Sequence, residues 1–150
     1  MKDALLVHGT AVAIDGAAVL IRGPSGSGKS DLALRLIDAG AQLVADDQAL
    51  LRRAGAGIAV TAPAAIKGLI EVCGVGILRL PALDEAPLAL IVDLVAPEAL
   101  ERLPEGAAEA VLGCSLPRLA LAPFEASAAA KLRLALRAFA SPTGRDIISR

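Results

Sequence analysis

The chain has 150 residues, of which 55% are hydrophobic, and its formal net charge at pH 7 is −1. A chain of this length forms one domain and can bury a core without disulfides or a structural metal. The charge is near neutral, and Phe124 and Phe139 are the only aromatic residues. This composition argues against nucleic acid as a partner, because such binding needs a basic footprint or stacked rings.

The cysteines and the apolar runs indicate the compartment. Cys73 and Cys114 lie far apart, without the spacing of a zinc site, and two free thiols suit a reducing cytosol. The longest apolar run, residues 88–92, is too short to span a bilayer, and residues 1–7 lack the apolar region of a signal peptide. We therefore predict a cytoplasmic protein with no membrane insertion.

The predicted elements, in chain order, are mostly strands. Short apolar runs predict strands at residues 5–7, 12–14, 19–21, 42–45, 49–51, 58–61, 77–80, 88–94 and 116–121. Helical periodicity predicts helices at residues 29–39, 97–103 and 126–139, with Gly40 ending the first and Ser127 placed to cap the third. Residues 105–109 are typical of a linker. We expect an α/β fold, a mixed sheet with few helices over residues 1–140, and a polar C-terminal tail at residues 141–150.

A phosphate-binding loop is the clearest motif. The stretch Gly23-Pro24-Ser25-Gly26-Ser27-Gly28-Lys29-Ser30 matches G-x-x-x-x-G-K-[ST] and lies between a predicted strand and a predicted helix. In such a loop, glycines let backbone N–H groups surround phosphate oxygens and the helix N-terminus adds partial positive charge. Lys29 is expected to reach the β- and γ-phosphates, and Ser30 to offer its hydroxyl to Mg²⁺. The alternative is a Gly/Ser-rich turn that binds nothing.

Two adjacent carboxylates, Asp46 and Asp47, end the strand that follows the predicted helix. Because the carboxyl ends of parallel strands meet at one edge of a sheet, we expect both to face the phosphate loop. Neighbouring residues point in different directions, so one carboxylate suits the metal and the other an acceptor hydroxyl, whose proton it would take. The alternative is a solvated turn.

Two further candidates are weak when considered alone. His8 is the only histidine, and a lone histidine is more often a surface or core residue than a catalytic one. Glu71 lies in the glycine-containing stretch 68–77, which suggests a backbone that approaches another group closely.

Together these motifs resemble the catalytic domain of bacterial HPr kinase/phosphorylase, the enzyme that modifies a serine of the phosphocarrier HPr. The resemblance runs through residues 8–10, 19–30, 40–47, 62–63 and 70–77, about the first half of the chain. It implies an HPr kinase/phosphoenolpyruvate carboxykinase-like core, so that residues 1–140 would be a P-loop kinase domain. It also implies HPr or an HPr-like carrier as partner and a homo-oligomer, which in the family is a hexamer.

The resemblance also implies residue roles. The loop from Gly23 to Ser30 would hold ATP or pyrophosphate. Pyrophosphate and phosphate are also possible substrates in the family. Ser30 and Glu71 would help to place Mg²⁺, and Asp46 would act as base toward the acceptor serine and as acid toward phosphoserine. Asp47 would support the metal or the base, and His8 would lie against the phosphate site.

The chain departs from the family's pattern in three respects. We expect a protein without the family's usual separate N-terminal domain, similar to the short, single-domain proteobacterial branch. Cys73 stands where the family commonly has arginine, and a thiol cannot make that residue's bidentate phosphate contact. Residues 118–127 carry little of the positive charge of the corresponding family loop. Kinase activity is thus better supported than phosphorylase activity, and subunit number stays open. The alternatives are a kinase of another peptide or small molecule, and a nucleotide-binding regulator without turnover.

Overall fold

The computed structural model describes residues 3–140 of the chain. These residues contain eleven strands and two α-helices. The strands are β1 Ala4–His8, β2 Thr10–Ile14, β3 Ala17–Arg22, β4 Gln42–Ala45, β5 Gln48–Ala54, β6 Gly57–Thr61, β7 Leu69–Val72, β8 Gly76–Arg79, β9 Ala86–Leu94, β10 Ala107–Val111 and β11 Cys114–Leu121. The helices are α1 Lys29–Asp38 and α2 Ala128–Phe139, with 3-10 turns at Ala64–Ile66 and Pro97–Ala99.

Nine of the strands form one mixed sheet. Its order is β1-β5-β6-β9-β3-β2-β4, and β11 also pairs with β9 and carries β10 on its other side. The pairs of β9 with β3 and with β11 are parallel, and the other pairs are antiparallel. Strands β7 and β8 form a separate two-stranded hairpin. This arrangement confirms the predicted mixed sheet with few helices.

Successive side chains of the central strands point to opposite faces of the sheet, and each face buries its own hydrophobic core. Val19 and Ile21 of β3 pack with Leu32 of α1 and Leu132 of α2, so both helices cover one face of the sheet. Leu20, pointing the other way, packs with residues of the outer strands β5, β6, β10 and β11. The sheet therefore curls around its second face, and the strands at its centre are buried on both sides.

The predicted strands are all present, but the sequence missed two others. Strands β7 and β10 were not predicted, and the linker expected at residues 105–109 is wrong because β10 pairs with β11 there. The helix expected at residues 97–103 is also wrong, since only the 3-10 turn Pro97–Ala99 forms. Ser127 precedes α2 as predicted, but its side chain makes no capping hydrogen bond.

The end of α1 agrees with expectation. Gly40 has a φ of 112°, a left-handed conformation that follows the helix C-cap at Ala39. Residues 141–150, expected to form a tail, lie outside the described residues. Within the described residues, neither helix has the length and apolar character needed to cross a bilayer.

The expectation for the two aspartates needs one correction. Strands β3 and β4 are not neighbours, because β2 lies between them and is antiparallel to both. Two antiparallel pairings leave β3 and β4 running in the same direction. The phosphate loop after β3 and the aspartates after β4 consequently lie at the same edge of the sheet.

Candidate active site

The phosphate loop connects the end of β3 to the first residue of α1. Gly26 and Gly28 have φ values of 81° and 101°, a conformation that side chains with a Cβ rarely adopt. A Cβ at Gly23 would lie 2.5 Å from Ser27 Oγ, so a larger residue there would force neighbouring side chains to move. The backbone conformation therefore favours glycine at Gly26 and Gly28, and close side-chain packing favours it at Gly23.

Lys29 is held by the loop that it follows. Its side chain is buried, and Nζ donates hydrogen bonds to the carbonyl oxygens of Gly23 at 2.7 Å and Pro24 at 3.0 Å. An ammonium group has three N–H donors, so one remains for a ligand. Ser27 Oγ is buried and has no hydrogen-bond partner within residues 3–140. A glycine-lined cradle with an available ammonium N–H fits a bound polyphosphate.

Asp46 is the group that joins the elements of the site. Its Oδ1 accepts hydrogen bonds from Thr10 Oγ1 at 2.9 Å and from Ser30 Oγ at 2.7 Å. Its Oδ2 accepts one from the backbone N–H of Glu71 at 2.9 Å. The residue is only 6% exposed. One buried carboxylate thus connects β2, α1 and β7 to the end of β4.

Asp47 has the opposite environment. Its φ is 69°, and its side chain is 71% exposed, with Oδ1 lying 3.5 Å from Nδ1 of the half-exposed His8. The backbone carbonyl of Asp47 accepts a hydrogen bond from the N–H of Gly9 at 2.9 Å, which fixes the turn between β4 and β5 beside β1. The two neighbouring aspartates therefore point in different directions, one into the protein and one into solvent.

These groups surround a cleft of about 530 Å³. Most of the residues predicted for the site line it, together with several that were not predicted; the lining residues are His8, Thr10, Ser25, Gly26, Gly28, Lys29, Ser30, Asp31, Leu34, Asp46, Asp47, Glu71, Val72, Cys73 and Phe124. Gly23, Pro24 and Ser27, which were also predicted for the site, do not line the cleft; Gly23 and Pro24 act on it through their carbonyl bonds to Lys29.

Oxygen ligands for a divalent cation lie at one end of the cleft. Ser30, Asp46 and Glu71 all line it, and Ser30 Oγ is bonded to Asp46. Within residues 3–140 no group of three or more His, Cys, Asp or Glu residues could by itself hold a metal. Mg²⁺ is usually bound by one or two carboxylates and completed by substrate phosphates and water. The residues present fit a Mg²⁺ ion of this kind.

Sequence reasoning missed two contributors. Thr10 lies in the stretch 8–10 that resembles the family, but its hydrogen bond to Asp46 was not predicted. Phe124 lies in a loop far along the chain, and nothing in its local sequence marks it as part of the cleft. Both reach the site through tertiary structure.

A charged network fixes the strand that leads into the loop. Arg22, the last residue of β3, makes paired hydrogen bonds of 2.7–3.0 Å to both oxygens of Asp93 and of Glu109. Arg118 adds a bond to Glu109 at 3.1 Å. The hydrogen bonds that Arg22 donates lower the pKa of Glu109 from 4.5 to about 2, and the acceptors Glu109 and Asp93 raise the pKa of Arg22 above its usual range. The residue before Gly23 is thereby tied to β9 and β10.

Comparison with known proteins identifies the family that this chain resembles. A family model described as the HPr Serine kinase C-terminal domain matches residues 1–122. The HPr kinase/phosphorylase of Leptothrix cholodnii is 40% identical over 128 residues, which cover 77% of this chain and 39% of the relative. That of Exiguobacterium sibiricum is 49% identical over 73 residues, covering 48% of this chain and 24% of the relative. The chain thus spans well under half the length of these curated relatives.

A solved structure extends the similarity to the whole fold. The Hpr(Ser) kinase/phosphatase from Coxiella burnetii superposes with a TM-score of 0.79 at 28% identity, covering 89% of this chain and 94% of that chain. This agreement confirms the predicted HPr kinase-like fold. Together, the matched family model and the shared fold show that the chain belongs to the HPr serine kinase C-terminal domain family.

Proposed function

We propose that this protein transfers the γ-phosphate of Mg²⁺–ATP to a serine hydroxyl of HPr or an HPr-like carrier. The observation that carries the proposal is the bond from Ser30 Oγ, in the phosphate loop, to the buried Asp46, with the exposed Asp47 next to it. A phosphate donor held by the loop would meet a carboxylate that is open to an incoming protein. The names of the similar proteins supply the serine of HPr as acceptor.

The loop and Lys29 would bind and orient the phosphates. Backbone N–H groups of the loop and the remaining N–H of Lys29 would face the β- and γ-phosphates, where charge builds up during transfer. Ser30 and Glu71 would hold Mg²⁺, which when bound neutralises part of the phosphate charge, and Asp46 would orient Ser30 through its hydrogen bond.

The contacts favour Asp47 over Asp46 as the base. The sequence-based assignment of the base to Asp46 stays a prediction, but three hydrogen bonds already engage its two oxygens in a buried position. Asp47 is exposed and adjoins His8, so it is accessible to the acceptor hydroxyl. In the transfer, the serine oxygen would bond to the γ-phosphorus, the bond to the β–γ bridging oxygen would break, and the serine proton would pass to Asp47. ADP would leave with the bridging oxygen.

The direction of the reaction follows from Cys73. This residue is exposed and lines the cleft at the hairpin β7–β8. A thiol offers no cationic contact to the phosphate that would attack phosphoserine in phosphorolysis and leave as pyrophosphate. We therefore expect the kinase direction to exceed phosphorolysis.

The compartment and the assembly are part of the same proposal. Cys73 and Cys114 are both free thiols in the structure, which suits a reducing cytoplasm. A homo-oligomer, hexameric in the family, stays a prediction.

The test is transfer of labelled γ-phosphate from Mg²⁺–ATP to the organism's own HPr. We expect serine labelling that is lost in Lys29→Ala, and added phosphate should reverse it only weakly. Asp47→Asn should retain Mg²⁺–ATP binding and lose transfer, whereas Asp46→Asn should weaken Mg²⁺-dependent binding itself. Full transfer by Asp47→Asn would return the role of base to Asp46. Tight ATP binding with no labelling of HPr would instead indicate another acceptor or a nucleotide-binding regulator without turnover.

A further inference from the structure

Phe124 is a large apolar side chain at an unusual place. It is 72% exposed, and it nevertheless lines the cleft together with the phosphate loop. A Cβ placed on Gly28 would lie 2.9 Å from Phe124 Cζ and 3.1 Å from Cε1. The ring therefore lies directly against the loop, where α1 begins, and most of its surface is uncovered.

The backbone that carries Phe124 is fixed on both sides of the ring. Arg35 of α1 donates hydrogen bonds to the carbonyl oxygens of Pro123 and Glu125, the residues before and after Phe124. Arg35 is itself paired with Asp31 at 3.1 Å, and Glu125 is paired with Lys131 of α2 at 2.9 Å. The ring is thus presented by a braced loop, at a defined distance from the phosphate site.

The neighbouring lining residues suggest what the ring faces. A polyphosphate would fill the glycine-lined part of the cleft, and its hydrophilic lining continues to Ser30 and Asp46. Leu34 and Phe124 form an apolar part of the same cleft, beside α1. Phe139, the other aromatic residue of the chain, packs against the core at the end of α2. Phe124 is consequently the one phenylalanine side chain that reaches the cleft in residues 3–140, where the imidazole of His8 lies beside Asp47 instead.

We propose that the ring of Phe124 packs against the purine base of the bound nucleotide. The inference rests on the proposed function, since it assumes that the phosphate loop binds ATP. A purine offers a flat π-face, and an exposed aromatic ring in a fixed position matches it without any need for hydrogen-bond readout. Phe124 would then set the affinity for nucleotides over bare polyphosphates.

The first test is tryptophan fluorescence. The protein has no tryptophan and no tyrosine, so Phe124→Trp introduces a single indole fluorophore. We expect ATP and ADP to change its emission strongly, and tripolyphosphate to leave it nearly unchanged. The matched control is Phe139→Trp, whose emission should respond to neither ligand. Equal responses of Phe124→Trp to ATP and tripolyphosphate, or no response to saturating ATP, would overturn the inference.

The second test measures affinity by calorimetry, without any acceptor protein. We expect Phe124→Ala to raise the Kd for ATP about tenfold, equivalent to about 1.4 kcal/mol, and to leave the Kd for tripolyphosphate unchanged. Leu134→Ala, which removes an apolar side chain that is 61% exposed on α2, should alter neither Kd. Circular dichroism would establish that both variants are folded.

The outcomes separate this inference from the proposed function. Unchanged ATP affinity in Phe124→Ala contradicts the inference alone, and an altered subunit number in that variant would then assign the ring to a contact between copies of the chain. Equal loss of ATP and tripolyphosphate binding also contradicts it, because the ring would then support only the loop. If the wild-type protein binds neither ligand, the nucleotide site itself is wrong. Failure of HPr labelling, with the expected binding results, contradicts only the proposed acceptor.

Discussion

The hydroxyl of Ser30 donates a hydrogen bond of 2.7 Å to Oδ1 of Asp46, across the boundary between α1 and β4. The same oxygen accepts from Thr10, and Oδ2 accepts from the backbone of Glu71. Three segments far apart in sequence are therefore set by one carboxylate. Because that carboxylate is buried, its loss should affect the stability of the protein as well as its chemistry.

Asp46→Ala should lower the free energy of unfolding by about 1–3 kcal/mol, because it leaves buried donors without an acceptor. Urea denaturation measures this change. Asp47→Asn is the matched control, since the neighbouring side chain is exposed and asparagine tolerates the left-handed φ at this position, and its effect should stay within about 0.5 kcal/mol. Equal effects of the two substitutions would contradict the structural role assigned to Asp46.

Gly28→Ala should destabilise the protein more than Gly26→Ala. Both positions have a left-handed φ, but a Cβ at Gly28 also meets the Phe124 ring, whereas one at Gly26 has nothing within 4 Å. The shared backbone strain costs about 1 kcal/mol or more. Thermal unfolding of the two variants compares them. Adding Phe124→Ala should recover part of the loss at Gly28 and none at Gly26.

Acid should destabilise the protein through Glu109. Because Arg22 lowers the folded-state pKa of Glu109 to about 2 from 4.5, the unfolded chain takes up a proton first as the pH falls. The stabilisation is complete above pH 4.5 and disappears as the pH falls toward 2. Urea midpoints measured at pH 6 and pH 3 should therefore differ more for the wild type than for Glu109→Gln.

The control for that comparison is Glu101→Gln, at an exposed residue outside the strands and helices. Its pH dependence should match that of the wild type. A wild-type profile with the same slope as Glu109→Gln would show that the Arg22 network contributes nothing to acid stability.

Leu132→Ala should lower the free energy of unfolding by about 2–5 kcal/mol, because this side chain of α2 is fully buried and its loss leaves a cavity. Leu134→Ala, two residues further along the same helix, removes an exposed side chain and should change stability by less than about 0.5 kcal/mol. Chemical denaturation of the pair measures how firmly α2 is packed on the sheet.

Local patterns were sufficient for the elements that bury an apolar face. The structure of β3, β9 and α1 can be predicted from their own sequences. Each segment has the pattern of apolar residues that a buried strand or a half-buried helix needs. Strand β10 carries no such signal, since its sequence is mostly alanine and it lies at an edge. It is held by β11 and by the bonds from Arg22 to Glu109, which join residues 87 positions apart.

Part of the candidate active site can also be predicted from local sequence, and part of it depends on tertiary contacts. The phosphate loop is encoded in eight consecutive residues, and its chemistry can be derived from them. The opposite orientations of Asp46 and Asp47 depend on the left-handed φ at Asp47 and on donors from β2 and β7. Phe124 depends on how Arg35 holds a loop from the other end of the chain. These relationships arise only when the sheet has curled.

The hydrogen bonds from Arg22 to Asp93 and Glu109 can form only late in the synthesis of the chain on the ribosome. The residue before the phosphate loop leaves the ribosome early, but both of its partners, Asp93 and Glu109, follow much later. Strand β9, which pairs with β3, also comes after the hairpin β7–β8. A nascent chain therefore carries the complete loop sequence before it has the anchors that fix the loop. The binding cleft becomes a defined shape only when residues up to Phe124, which also lines it, have emerged.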